Sequence, residues 1–209
     1  VQVSQTPPAF ALKDTAGREW KSAEIYGRGA TVVVFWATWS PRSSEVIRDL
    51  EALRVKIGPE KIQVVTVNCE HPSISAADRD AIAAVAKQVG FTGPALVDDG
   101  LVAFNEYGTM ALPSTLVLGA DGKVAYLLAG YPTTLREDLA DAVRKAAGLP
   151  SEAEQRPVQE YVPKNHALMY YNLGRQLASK GQDEKAEAQL KISVEKDPDF
   201  KKSRVELGL

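Results

Sequence analysis

The chain has 209 residues, with 25 basic against 27 acidic side chains and a net charge of −2, which excludes a basic nucleic-acid footprint as its main theme. Hydrophobic residues make up 44% and charged ones 25%, an ordinary globular composition that excludes wholesale disorder. No apolar run reaches the roughly 18 residues of a membrane-spanning helix, and the one cysteine, Cys69, excludes an internal disulfide framework and a two-thiol zinc site.

The opening residues 1–8 carry neither the charged and hydrophobic regions nor the cleavage site of an export signal, so any such signal is absent or already removed. Residues 31–36, TVVVFW, form a short β-branched and aromatic run, the mark of a strand buried on both faces. Residues 42–57 place Val46, Ile47, Leu50, Leu53 and Ile57 on one helical stripe, stopped by Gly58 and Pro59. Residues 62–67 read as a second buried strand. Residues 75–89 read as a helix capped by Ser75, with Asp78 three positions on. Residues 95–97 supply a third strand. Residues 114–118 and 123–128, joined by the turn sequence GADG, predict an antiparallel hairpin. Thr134 and Glu137 have the spacing of a capping box, opening a helix that runs to Gly148. This order predicts an α/β sheet of mixed strand direction. In such a sheet the chemistry gathers at the carboxyl ends of the parallel strands, here the loops after Trp36 and Val67.

Past Gly148 the strand pattern stops and charged residues become denser. The expected organisation is a domain over 1–149, a polar, proline-bearing linker over 150–163 and a helical module over 164–209. In that module Tyr170, Leu173, Gly174, Leu177, Gly181, Ala186, Leu190 and Pro198 fall at spacings that resemble a tetratricopeptide repeat. Ser193 stands where that pattern prefers alanine. Leu207 and Gly208 repeat the Leu-Gly pair 34 residues on, and the chain ends where a second repeat would begin, so the module reads as truncated or closed by a short capping helix. Gly174 would let two helices approach closely and Pro198 would end the second. One such hairpin does not bury its faces alone, so it is expected to dock, dimerise or continue.

The loop after the first strand reads FWATWSPRSSE over residues 35–45. Phe35, Trp36, Ala37, Thr38, Trp39, Pro41 and Glu45 stand in register with the hallmark Phe-Trp-Ala-Thr-Trp-Cys-Pro-x-Cys-x-x-Glu, and the sequence resembles the extracytoplasmic thioredoxin-like proteins of the TlpA/ResA redoxin type, related to AhpC/TSA. Residues 7–14 resemble that family's N-terminal strand, residues 112–115 the segment holding its cis-proline, and residues 121–124 its hairpin turn. The resemblance covers about residues 7–148. It implies a thioredoxin-like fold, a mixed sheet flanked by helices, joined here to a small all-α tetratricopeptide-like hairpin. It also implies a departure, because Ser40 and Ser43 occupy the two cysteine positions. In the family the first cysteine sits at a helix N-terminus that stabilises its thiolate, which attacks a disulfide, and the second resolves the mixed disulfide. Serine hydroxyls ionise too weakly for this and form no disulfide. Ser40 before Pro41 also has a structural meaning, since serine caps helices and proline suits their first position.

Cys69 follows the second strand at its carboxyl end, and reads first as a small buried hydrophobe. The sharper reading is a relocated redox or peroxide-reacting thiol whose pKa His71 or Arg42 lowers. Glu70 lies near a position where the family often carries a glutamate assisting proton transfer to the buried cysteine; without a dithiol it reads as a solvated loop carboxylate. By resemblance, Leu112 and Pro113 hold backbone that pairs with an incoming extended substrate, and Trp39 and Pro41 complete a peptide-binding groove that does not require cysteine.

The leading functional reading is a thioredoxin-fold protein of the thiol-disulfide oxidoreductase family that is redox-inactive as written and binds proteins or peptides through this groove and the helical repeat. The alternatives are an active oxidoreductase whose two cysteines were exchanged for serine, and a Cys69-dependent peroxidase or redox sensor. No cofactor, metal or nucleic acid is expected. The resemblance implies an extracytoplasmic location, periplasmic or anchored outside a membrane.

Overall fold

The computed structural model describes residues 1–26, 29–152 and 163–208. These fall into two compact units, Val1–Gln155 and Arg156–Leu209. Of the expected linker, residues 153–162 lie outside the described residues.

The first unit is built on a seven-stranded sheet of order β2-β1-β5-β4-β3-β6-β7. Its strands are β1 (Ala11–Asp14), β2 (Glu19–Lys21), β3 (Ala30–Trp36), β4 (Ile62–Asn68), β5 (Ala95–Val97), β6 (Ser114–Leu118) and β7 (Val124–Ala129). β3 pairs parallel with β4, and β4 parallel with β5. β6 runs antiparallel to β3 and pairs with β7 as the expected hairpin. Its turn closes through Gly122 N–H to the Gly119 carbonyl at 2.9 Å, with Gly122 at φ +72°, where a side chain would be strained.

β3 is buried along its whole length, and its alternation divides the core. Val32, Val34 and Trp36 face α2 (Pro41–Ile57), α3 (Ala76–Gln88) and α5 (Arg136–Ala146), packing with Val46, Ile47, Leu50, Ile82, Leu139 and Val143. Val33 and Phe35 face the other way, against Phe10, Ile25 of α1 (Ser22–Ile25) and Tyr107, next to α4 (Val102–Glu106). A strand with helices on both faces is near-continuously apolar, and residues 32–36 are; Thr31, at its start, is buried with its hydroxyl donating to the Ile25 carbonyl at 3.3 Å. The fold is therefore the expected mixed α/β sheet flanked by helices.

The helix starts follow local chemistry, with one correction. Ser75 Oγ accepts the Asp78 N–H at 3.2 Å while the Asp78 carboxylate accepts the Ser75 N–H at 2.8 Å, a closed capping box. The box expected at Thr134 does not form. Residues Thr133–Leu135 make a turn of 3₁₀ helix, and α5 starts at Arg136 with no side-chain cap. The short elements β2, α1 and α4 had no counterpart in the sequence reading; each is too brief to show a period.

The second unit contains α6 (Asn165–Ala178), α7 (Asp183–Lys196) and α8 (Lys201–Glu206). α6 and α7 approach closely at Gly174, where a Cβ would lie 2.8 Å from Leu190 Cγ and 3.2 Å from the Ala186 carbonyl oxygen. Pro198 follows the end of α7, as expected. Tyr171, not Tyr170, is the buried aromatic, edge-on to Phe200 with ring centres 5.0 Å apart. Leu173 stays exposed within this unit. Ser193 Oγ lies 2.7 Å from both the Ala167 carbonyl and Ser203 Oγ, so it joins α6, α7 and α8.

Candidate functional site

Three chain segments leave the sheet at one end. β3 continues into the 37–40 loop and β4 into Cys69 and Glu70, and the register pairs Trp36 with Asn68. β6 enters from the same end after Leu112 and Pro113, since Phe35 pairs with Ser114. The sheet thus brings together Trp39, Ser40, Pro41, Ser43, Cys69, Glu70, Leu112 and Pro113.

At the start of α2, Ser40 adopts extended backbone (φ −94°, ψ 109°) and its Oγ accepts the Ser43 N–H at 3.3 Å, with Pro41 in the first turn. This is the N-cap that the Ser-Pro pair predicts. Ser43 is fully buried and its Oγ accepts the Ala37 N–H at 3.4 Å, tying the helix back to the loop before it. Ser40 is buried as well. Both hydroxyls therefore have structural partners. Trp39, between them and β3, projects its side chain and is 65% exposed.

The Leu112–Pro113 peptide is cis. The Pro113 carbonyl accepts the Gly130 N–H at 2.7 Å, and Ser114 Oγ donates to the Ala111 carbonyl at 2.7 Å. Pro113 is buried and Leu112 half-buried, while Met110, two residues earlier, is 94% exposed.

Glu70 corrects the expectation of a solvated carboxylate. Its side chain is only 11% exposed. Oε2 accepts the Thr38 N–H at 2.7 Å and Asn68 Nδ2–H at 3.1 Å, and Oε1 accepts the Thr38 hydroxyl at 2.9 Å. Burial alone would raise its pKa; these donors, with His71 at 3.5 Å, outweigh it and hold the carboxyl below its ordinary value. Glu70 is the strut that ties the β3 loop to the β4 loop.

Cys69 is buried beneath this strut, its N–H donating to the Trp36 carbonyl at 3.1 Å and its Sγ 3.7 Å from the same oxygen. Burial, then the nearby Asp98 charge, push its pKa up to about 12, against a smaller lowering by the Trp36 contact. The expected lowering by His71 or Arg42 is not found, because desolvation dominates.

Asp98, Asp49, Tyr131 and Arg136 were not singled out from the sequence, and Arg42 and Glu45 take partners there that it did not suggest. Asp98, at the end of β5, is buried and accepts the Ala103 N–H at 3.1 Å and Phe104 N–H at 2.7 Å, and burial raises its pKa despite those donors. Its signal was faint: an aspartate five and six residues ahead of the amides it caps. On the other side of α2, Arg42 Nη1 donates to the Tyr131 carbonyl at 2.9 Å, Tyr131 donates its hydroxyl to Asp49 at 2.7 Å, and Arg136 bonds Glu45. Among the described residues, no group of three or more His, Cys, Asp or Glu side chains gathers to hold a metal ion, and no helix is long and apolar enough to cross a membrane.

The sheet order, the helix springing from the loop after β3 and the cis-proline strand beside it define a thioredoxin-like α/β domain. The chain belongs to the AhpC/TSA family, whose sequence profile matches residues 3–127. It is 27% identical over 139 residues to the thiol-disulfide oxidoreductase ResA of Geobacillus thermodenitrificans, a match covering 66% of this chain and 75% of that protein. Among solved structures, a putative thiol:disulfide interchange protein DsbE from Chlorobium tepidum superposes with a TM-score of 0.61 at 23% identity, covering 71% of this chain and 99% of that one. A secreted Mycobacterium tuberculosis disulfide oxidoreductase superposes with a TM-score of 0.54 at 18% identity, covering 64% and 93%. At these identities the structures establish the fold.

Proposed function

We propose that the first unit is a thioredoxin-fold binding domain without dithiol chemistry, which docks extended segments of protein partners along the Trp39, Pro41, Leu112 and Pro113 groove. The observation that carries this reading is the pair Ser40 and Ser43 at the start of α2, where the ResA-like resemblance puts two cysteines. Both hydroxyls are engaged as helix-cap and loop ties, and neither can form or exchange a disulfide. The second unit serves as a tetratricopeptide-like module for a protein partner, supported by the close α6–α7 crossing at Gly174 and Ala186. An extracytoplasmic location is supported by the ResA-like resemblance and by the secreted M. tuberculosis relative. No cofactor enters this mechanism.

Binding in such a groove uses the Leu112 backbone ahead of Pro113, before β6 enters the sheet between β3 and β7, with Trp39 as an apolar anchor. The test has two arms. The chain as written is expected not to accelerate the reduction of insulin disulfides by a dithiol above its uncatalysed rate, and catalytic turnover by it would overturn the reading. The double variant Ser40→Cys, Ser43→Cys then asks what the scaffold still does. An inert variant favours a dedicated binding domain, whereas restored turnover favours an oxidoreductase whose two cysteines were exchanged for serine.

The third reading, a Cys69-dependent peroxidase or sensor, has the geometry against it. A reactive thiol needs to be accessible and ionised near neutrality, whereas Cys69 is buried with a pKa pushed up to about 12.

A further inference from the structure

We infer that the groove beside Ser40 prefers an extended peptide carrying a carboxylate side chain, and that the Arg42 guanidinium selects it; this rests on the peptide-binding reading above. The inference comes from accounting for the charges at that end of the sheet. Glu70 is turned inward onto Thr38 and Asn68, with His71 beside it. Glu45 is bonded to Arg136, and Asp49 accepts from the Tyr131 hydroxyl with Arg136 at 3.7 Å. The acidic groups there are already committed to donors on the protein.

Arg42 is committed only along one edge. Its Nη1 donates to the Tyr131 carbonyl at 2.9 Å, and the same nitrogen stands 3.7 Å from Glu45. Its Nε and Nη2 donors have no hydrogen-bond partner among the described residues, and its side chain is half exposed. Tyr131 directly follows Gly130, whose N–H holds the Pro113 carbonyl. The guanidinium is therefore anchored against the cis-proline side of the groove, one edge fixed and the other open.

A planar guanidinium held in this way is pre-organised for side-on, two-point recognition of a carboxylate, which a lysine ammonium does not offer. Trp39 and Met110 are the large exposed apolar side chains on the two flanking segments. The recognised segment is then extended, apolar over most of its length, and acidic at one position.

The experiment uses the full chain and fluorescence anisotropy with fluorescein-labelled extended Val/Ala peptides. A glutamate is walked through four central positions, and each peptide has a glutamine twin and a lysine twin. At one position the glutamate peptide should bind about two- to fivefold tighter than its glutamine twin, the range of an exposed ion pair, and salt should erode the advantage. Arg42→Gln should abolish that ratio, and Arg42→Glu should turn the preference towards the lysine twin. Thermal unfolding checks that both variants fold. Equal affinities within every pair, or a glutamate preference that survives Arg42→Gln, would overturn the role of Arg42 while leaving groove binding intact. No binding by any peptide would overturn both readings.

Discussion

Thr38 gives both its donors to one carboxylate: its N–H meets Glu70 Oε2 at 2.7 Å and its hydroxyl meets Oε1 at 2.9 Å. The two residues are 32 positions apart, and the pairing of β3 with β4 makes them neighbours. This clamp sets the path of the loop that presents Trp39 and Ser40.

Glu70→Gln should destabilise the domain by about 1–3 kcal/mol at neutral pH, because charge-assisted bonds from Thr38 and Asn68 are weakened in a half-closed site. The pH dependence has a definite sign. The Glu70 pKa is lowered in the folded state, so its contribution is complete above the ordinary carboxylate range and is lost as pH falls through the lowered value. Urea unfolding of wild type and variant should therefore show a gap that closes on acidification. A constant gap down to strongly acidic pH would show that Glu70 acts through shape and not charge.

The Cys69 thiol should be nearly inert in the native chain. With its pKa at about 12, its thiolate fraction at neutral pH lies roughly a thousandfold below that of a free cysteine. Labelling by a chromogenic disulfide reagent should be slow in buffer and fast in denaturant. Because the folded pKa is raised, the thiol's contribution to stability is complete below the ordinary thiol range and is lost as pH rises towards about 12. Fast native labelling with an inflection below pH 8 would contradict the burial.

Thr66 and Thr115 flank Val34 in register, on β4 and β6, and their hydroxyls have no hydrogen-bond partner among the described residues. Both are fully buried. Replacing either with valine keeps the shape and removes an unsatisfied polar group, so each should stabilise the unit by about 1 kcal/mol. The midpoint of chemical denaturation measures this, and a drop in either variant would point to a hidden partner for the hydroxyl.

Ser193→Ala would bring the second unit closer to the tetratricopeptide pattern, yet it should weaken that unit. The change deletes the contacts to the Ala167 carbonyl and Ser203 hydroxyl and leaves the latter buried. A loss of about 1 kcal/mol is expected, read from hydrogen exchange of α6 and α7 amides. Unchanged exchange would mean that Ser193 adds nothing beyond its size.

The order of long elements in the first unit could be read from the chain, because each carries its own local cause. The β-branched and aromatic run at 31–36 announces a strand covered on both faces, Ser40-Pro41 and Ser75 with Asp78 announce helix starts, and GADG announces a hairpin. The motif around Trp39 also marked the right end of the sheet. Tertiary structure alone settled what those residues meet there. Glu70 became a clamp and not a solvated acid because β4 lies beside β3. Cys69 lost acidity because it is buried in the apolar cluster that holds Phe35, Val67 and Tyr107, with Asp98 nearby. Arg42 kept one open edge because the loop after β7 reaches back to the proline. Hydrogen-bond partners and solvent access depend on residues tens of positions away, and no local pattern in a chain encodes which of them will arrive.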